Sequence, residues 1–302
     1  MEPKIHIPVM VKEVMQGMNL KPGQIIVDGT LGNGGHSMEI LKSILPGGRL
    51  IAIDRDQESL ESAKERLNDY RDSCEFMHGN FSDIDKILDG LKINKVDGIL
   101  LDLGISSFQL DNPERGFSFQ NEGPLDMRLD RTSFISAYDL VNNLNEDEIS
   151  AILRNFGEER WHKRIARFIV QERQKHPIFS TGQLSEIINR ATPYKYRYQR
   201  IHPATRTFQA VRIAVNRELE SLEIFLNKAV NFLNKDARVC VISFHSLEDR
   251  IVKLNFRKFA SEGLLRIITP KPLVTSEEEI SNNPASRSAK LRVAERTYNE
   301  NA

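Results

Sequence analysis

Short apolar runs alternate with helical patterns in the first third of the chain. Ile25-Ile-Val27 is followed by a glycine turn, a helical segment, and a second run, Leu50-Ile-Ala-Ile53, which ends on Asp54. β-Branched runs of this length bounded by turn residues predict buried strands. Cys74 to His78 and Val96 to Leu101 predict a third and a fourth strand, the fourth ending on Asp102. The next strand signal, Ala237 to Ser243, comes more than a hundred residues later, too far for an ordinary crossover between neighbouring strands. Helical spacing fills that gap, with Ile149, Ile152, Leu153 and Phe156, then Trp161, Ile165, Phe168 and Ile169. Asn145 with Glu148, and Ser180 with Gln183, carry the spacing of capping boxes. From Thr205 the positions Phe208, Val211, Val215, Leu219, Leu222, Leu226, Val230 and Leu233 predict one long amphipathic helix that returns the chain to the sheet. Leu264–Ile268 and Leu291–Ala294 supply two short final strands. The expected architecture is a doubly wound α/β sheet with an inserted all-helical domain: residues 1–106, an insert over 107–206, and the second part of the sheet domain over 207–302.

The turn between the first two strands carries the chemistry. Gly29, Gly32, Gly34 and Gly35 let backbone amides approach a ligand closely. Asp54, twenty residues beyond Gly34 at the end of the second strand, has the position of an acceptor for both hydroxyls of a ribose. The dinucleotide fingerprint requires a third glycine, and Ser37 stands in its place. Asp28 reads as a residue that bonds the glycine loop. His36 fits either a ligand contact or a cap at the helix start. Phe81, directly after the third strand, fits either a core residue or a surface for an adenine ring.

Composition narrows the class. The chain has 302 residues, of which 40% are hydrophobic, enough for one large domain or two. Glu2, Lys4, His6 and Lys12 interrupt the apolar residues of the N-terminus, and no apolar run approaches membrane-spanning length. A soluble cytoplasmic protein, without membrane or metal partners, is expected. Cys74 and Cys240 are the two cysteines, and both fall within predicted strands. Lysine plus arginine equals aspartate plus glutamate, 42 against 42, so no global basic field is present. Locally the balance breaks. Between Ile187 and Arg217 stand seven basic residues, Arg190, Lys195, Arg197, Arg200, Arg206, Arg212 and Arg217, and no Asp or Glu. Tyr194, Tyr196, Tyr198, His202 and Phe208 are interleaved with them. Cations that neutralise phosphates and rings that stack on bases suit single-stranded or looped RNA.

The glycine turn resembles motif I of S-adenosylmethionine-dependent methyltransferases, with Asp28, Thr30, Gly32 and Gly34 in its places and Thr30 where a glycine is usual. Longer blocks are more specific. Asp102-Leu-Gly-Ile-Ser-Ser-Phe-Gln-Leu-Asp111, Arg115-Gly-Phe-Ser-Phe119, Gly123-Pro-Leu-Asp-Met-Arg-Leu-Asp130, His202-Pro-Ala-Thr-Arg-Thr-Phe-Gln209, Ile242-Ser-Phe-His-Ser-Leu-Glu-Asp-Arg250 and Ser286-Arg-Ser-Ala-Lys-Leu-Arg292 resemble the bacterial small-subunit (16S) ribosomal RNA cytosine-N4 methyltransferases, the RsmH or MraW family. The resemblance runs from His6-Ile-Pro-Val-Met10 to the terminal basic segment. It implies a Rossmann-like methyltransferase fold with a seven-stranded, mainly parallel sheet, S-adenosylmethionine as cofactor, and a cytidine of the decoding region of 16S ribosomal RNA, in the small ribosomal subunit, as substrate. Carried over by position, Gly34, Gly35 and His36 take the amino-acid end of the cofactor, Asp54 the ribose, Phe81 the adenine, and Asp102 with Gln109 the remaining rim. Arg197, Arg200 and Arg206 are the expected RNA contacts.

Methylation at cytosine C5 requires a thiolate that adds to C6, and two mid-strand cysteines do not suit that role. Transfer to the exocyclic N4 requires positioning and an acceptor near the amine, for which Asp102 is the nearby carboxylate. The Pro-Pro-Tyr type clamp of many amino-methylating DNA enzymes is absent, since Asp102, Leu103, Gly104 and Ile105 occupy that strand end. Phe108, Phe117, Phe119 and His245 are the stacking candidates, each with a core or turn explanation. For His245 that explanation, a cap on the following loop, is favoured. The rival readings are a non-catalytic RNA-binding or ribosome-assembly protein and a nucleotide-cofactor oxidoreductase.

Overall fold

The structure is a computed structural model, and it describes residues 8–197 and 202–297. Four parallel strands, β1 (Ile25–Asp28), β2 (Arg49–Asp54), β3 (Cys74–His78) and β4 (Val96–Asp102), are continued by β5 (Leu233–Ser243). The remaining strands are β6 (Leu265–Ile267), β7 (Leu273–Val274) and β8 (Lys290–Arg296). The sheet order is β3-β2-β1-β4-β5-β8-β6, and the two-residue β7 pairs with β8 as an eighth strand beside the seven expected. β8 runs antiparallel to β5, β6 and β7, whereas the other pairings are parallel.

Alternation along the strands divides the core. Val27, Ile51, Ile53, Ile99 and Leu101 belong to one buried cluster, and Ile26, Leu50, Ala52 and Leu100 to another. Both sheet faces are therefore covered, which explains why these strands read as continuous apolar runs. Strand order reverses between β1 and β4, and at such a switch point an open α/β sheet leaves a crevice at the carboxyl ends of its strands. Asp28, Asp54 and Asp102 stand at those ends.

The chain divides into two compact units, Met1–Ile105 with Leu219–Ala302, and Ser106–Glu218. The capping boxes at Asn145 and Ser180 form as expected and start helices Glu146–Gly157 and Thr181–Ala191. The single long helix expected from Thr205 does not form. Helix Ala204–Asn216 ends at Arg217, whose φ of 51° is left-handed, and a new helix, Glu218–Ala229, begins beyond it. The apolar spacing continues across the break, so periodicity alone conceals it. β5 likewise starts earlier than expected: Leu233 pairs with Val96, and the register shifts before Arg238 meets Gly98.

In the helical unit the Arg115-Gly-Phe and Gly123-Pro-Leu-Asp-Met-Arg blocks interlock. Arg115 is 1% exposed and donates to the carbonyls of Arg128 and Leu129, at 3.0 Å each. Asn216 closes the same turn, with its amide nitrogen on the Met127 carbonyl and its oxygen accepting from the Leu129 amide. A side chain on Gly116, at φ 68°, would come within 2.1 Å of the Pro124 carbonyl oxygen. Arg115→Met removes the donors of two carbonyls, at about 1–3 kcal/mol each if both stay dry. The expected result is a loss of about 3 kcal/mol in urea unfolding, with amide exchange rising first around residues 113–130.

Candidate active site

The carboxyl edge of the sheet is assembled by hydrogen bonds that run between the strand ends. Thr30, the residue that departs from the methyltransferase motif, supplies one of them: its Oγ1 accepts from the backbone amide of Asp102 at 2.6 Å. A glycine there would leave the end of β4 without that latch to the turn after β1. Asp28 is 1% exposed, and its two oxygens accept from the Ser37 hydroxyl and, at 3.2 Å, the Thr30 amide. Burial raises its pKa, and the Ser37 hydrogen bond opposes that shift. Asp28 thus braces the glycine turn, in the helper role its position suggested.

Asp54 is bonded on both oxygens to backbone, with Oδ2 accepting from Gly32 at 2.7 Å and Oδ1 from Asp56 at 2.9 Å. These contacts, with a third from the Arg55 amide, fix the carboxylate at the edge and still leave it some acceptor capacity. Desolvation lifts its pKa to about 6 against the pull of those amides.

The glycines divide by role. Gly32 and Gly34 have φ values of 50° and 72°, left-handed geometry that favours glycine. Gly29 and Gly35 answer to packing instead. A Cβ on Gly29 would lie 2.5 Å from Leu101 Cδ2, and one on Gly35 would lie 2.8 Å from Pro8 Cγ. Close packing against neighbouring side chains excludes a Cβ at those two.

His36 is 6% exposed, and its Nε2 lies 2.8 Å from the Val9 carbonyl oxygen. A carbonyl only accepts, so Nε2 carries the proton. Burial lowers the ring's pKa. Nδ1 of the neutral ring is then a bare acceptor, 3.5 Å from Asp102 Oδ2. The other oxygen of Asp102 is buried without a hydrogen-bond partner among the described residues, as is Asn33 Oδ1. Burial first, then the charges of Asp28 and Glu248, push Asp102 up to about 8. Near neutral pH its carboxyl is a proton donor facing His36.

The Val9 carbonyl is held in turn from the far end of the chain. Glu279 Oε1 accepts from the Met10 amide at 2.7 Å. Loss of that acceptor in Glu279→Ala is expected to cost roughly 1–2 kcal/mol in urea unfolding, with most of it retained in Glu279→Gln, which keeps an oxygen in place.

Phe81 is 9% exposed, opens a 3-10 turn after β3, and sets its ring edge-on to Phe225 at 5.5 Å between centroids. Gln109 belongs to the helical unit, where it is 4% exposed and completes a capping box with Ser106. Of the stacking candidates, Phe117 is buried beneath Arg115, Phe119 stacks on His202 at 4.6 Å, and Phe108 is 41% exposed. His245 is the cap that was favoured: its Nδ1 accepts from the Glu248 amide at the start of helix Ser246–Ser261. Arg197 donates through Nε and Nη2 to the carbonyls of Thr192 and Arg190, and Arg206 through Nη1 to Glu158. Arg200 lies outside the described residues. Both thiols are poor nucleophiles, since burial pushes Cys74 up to about 11 and Cys240 to about 12.

The chain that forms this edge, with three strand-terminal carboxylates around a left-handed glycine turn, matches a sequence family over nearly its full length. The model of the MraW methylase family covers residues 4–297. The chain belongs to the MraW methylase family. Relatives named "Ribosomal RNA small subunit methyltransferase H" include the protein of Pelobacter propionicus, 50% identical, with 96% of this chain and 98% of that one covered. The protein of Halothermothrix orenii is 48% identical over 97% and 99% of the two chains, and that of Clostridioides difficile 46% over 96% and 98%. For this MraW-family methylase the cofactor is S-adenosylmethionine, and the oxidoreductase alternative falls. The residues present fit that group: two buried acceptors, Asp102 Oδ1 and Asn33 Oδ1, lack donors among the described residues, and Asp54 stands at the end of β2 beside the glycine turn. Among the described residues no helix is long and apolar enough to cross a membrane.

Proposed function

We propose that the protein methylates ribosomal RNA of the small subunit, at the exocyclic N4 of one cytidine in the decoding region of the 16S molecule. The relatives' shared name supports the RNA class. The observation that carries the position on the base is Asp102, whose Oδ1 is a buried acceptor with no partner among the described residues, at the end of β4. An amine brought there finds an oxygen for one of its protons as its nitrogen turns pyramidal. The C5 route needs a thiolate, and both sulfurs of this chain are held well above neutral pKa.

In this reading Asp54 takes the ribose hydroxyls of S-adenosylmethionine, the turn at Gly34, Gly35 and His36 its amino-acid end, and Phe81 borders the adenine. The cofactor supplies an electrophilic methyl on a sulfonium. The protein supplies position and a proton acceptor. A proton taken by Asp102 faces His36 Nδ1, which is the accepting nitrogen of the ring because Nε2 is committed to Val9. The helical unit, with Arg197, Arg200 and Arg206, grips the RNA.

Small ribosomal subunits incubated with enzyme and methyl-labelled cofactor test the reading directly. Digestion to nucleosides and mass spectrometry should give N4-methylcytidine at one site. Label on C5, on another base, or on no nucleotide would refute it.

A further inference from the structure

Trp161 reads in the sequence as one more apolar position of a helix, yet it caps helix His162–Arg173 half-exposed and meets residues more than thirty positions away. Its ring lies 5.4 Å from that of Tyr196, inclined at 50°. Arg160 spans both, with Cζ 5.0 Å from the centre of Trp161 and 5.5 Å from that of Tyr196, and Lys195 Nζ stands 5.6 Å from Tyr196. Tyr194, on the same 3-10 turn Tyr194–Tyr196, is 71% exposed, with Arg197 Cζ 5.9 Å from its ring centre. Arg197 is itself tied to the carbonyls that end helix Thr181–Ala191. That tie makes it a support for Tyr194.

Two physical consequences follow. A guanidinium laid on aromatic faces keeps its planar edge of N–H donors directed outward, already ordered for a phosphate. An exposed tyrosine braced from behind offers a flat face on which a base of any sequence can stack. The nearby carboxylates are engaged, Glu159 by the Trp161 amide at 2.8 Å and Glu172 by Lys175 and Arg190. The local field is accordingly positive.

We propose that Arg160, Trp161, Tyr194, Lys195 and Tyr196 form a docking site for an unpaired nucleotide of single-stranded RNA, the base on Tyr194 and the flanking phosphates on Arg160 and Lys195. The site rests on the RNA reading above and adds to the basic stretch Arg160 and Trp161, which lie outside it in sequence. An acidic peptide would satisfy the cations and leave the tyrosine face unused.

Trp161 is the single tryptophan of the chain and therefore a built-in reporter. Titration of the full-length enzyme with a ten-nucleotide single-stranded RNA of mixed sequence should change its emission in a saturable way. Tyr194→Ala and Arg160→Ala should each weaken binding roughly fivefold or more. Lys195→Ala should lower the slope of log affinity against log salt by about 0.7, the value for one phosphate on a single strand. RNA retained in a filter assay while the emission stays constant would overturn the site and leave the RNA reading standing. An equal response to an oligoglutamate of the same charge would also overturn it. No RNA binding in either assay would overturn the site, and an accompanying absence of label transfer to small subunits would remove the RNA reading with it.

Discussion

Exchange of Asp102 for asparagine is expected to slow methyl transfer by roughly 10²–10⁴-fold, the range for removal of a positioned proton acceptor, and to flatten the dependence of the rate on pH. Burial and the charges of Asp28 and Glu248 hold the native carboxyl up at about 8 in the free protein. Below that pH the group is mainly protonated, so its accepting form falls tenfold for each unit of acid. kcat/KM for the cofactor reports the free enzyme. In the native protein it should therefore rise with unit slope to about pH 8 and then level. A second proton becomes involved under about pH 6, where Asp54 titrates and the slope steepens. In Asp102→Asn the step near pH 8 should vanish. A variant that stays within tenfold of the native rate and keeps that step would show that the proton goes elsewhere.

The second large effect belongs to Asp54. Its removal as Asp54→Ala should weaken S-adenosylmethionine by about 100-fold or more, because two charge-assisted hydrogen bonds to a diol are worth roughly 1.5–3 kcal/mol each. The amides of Gly32 and Asp56 also lose their acceptor, so the turn itself loosens. Asp54→Asn retains one acceptor and should fall between. Calorimetry of the native protein adds a pH arm. Affinity should decline as pH drops through about 6, since protonation of the carboxyl removes the charge that strengthens both bonds. Unchanged affinity in Asp54→Ala would remove the ribose contact from the proposal.

How much of this was legible beforehand depends on the range of each interaction. Strand Ile25–Asp28, the glycine turn and strand Arg49–Asp54 were readable because periodicity and turn chemistry act over a few residues. The caps at Asn145 and Ser180 were readable for the same reason. The latch from Thr30 to the Asp102 amide spans 72 positions, and the clasp of Glu279 on Met10 spans 269. No local pattern encodes either. Thr30 did leave a trace, as a departure from the expected glycine. The break at Arg217 left none, since a left-handed residue that is not glycine carries no signature in an otherwise continuous apolar stripe. The packing at Gly29 and Gly35 was not legible, because a missing side chain looks alike in sequence whether its neighbour is a ligand or Leu101 and Pro8.

The neighbours β4 and β5 are separated in the chain by the residues from Leu103 to Phe232. At translation speeds of about 5–20 residues per second, the ribosome needs roughly 7–30 s to complete β5 after β4 is made. During that interval Gly98 to Asp102 present an unpaired row of amides and carbonyls, flanked by the sticky side chains of Ile99 and Leu101. The nascent half-sheet is thus a template for the wrong strand. Slower decoding within the insert should raise the yield of aggregated product, and a holding chaperone should reverse it.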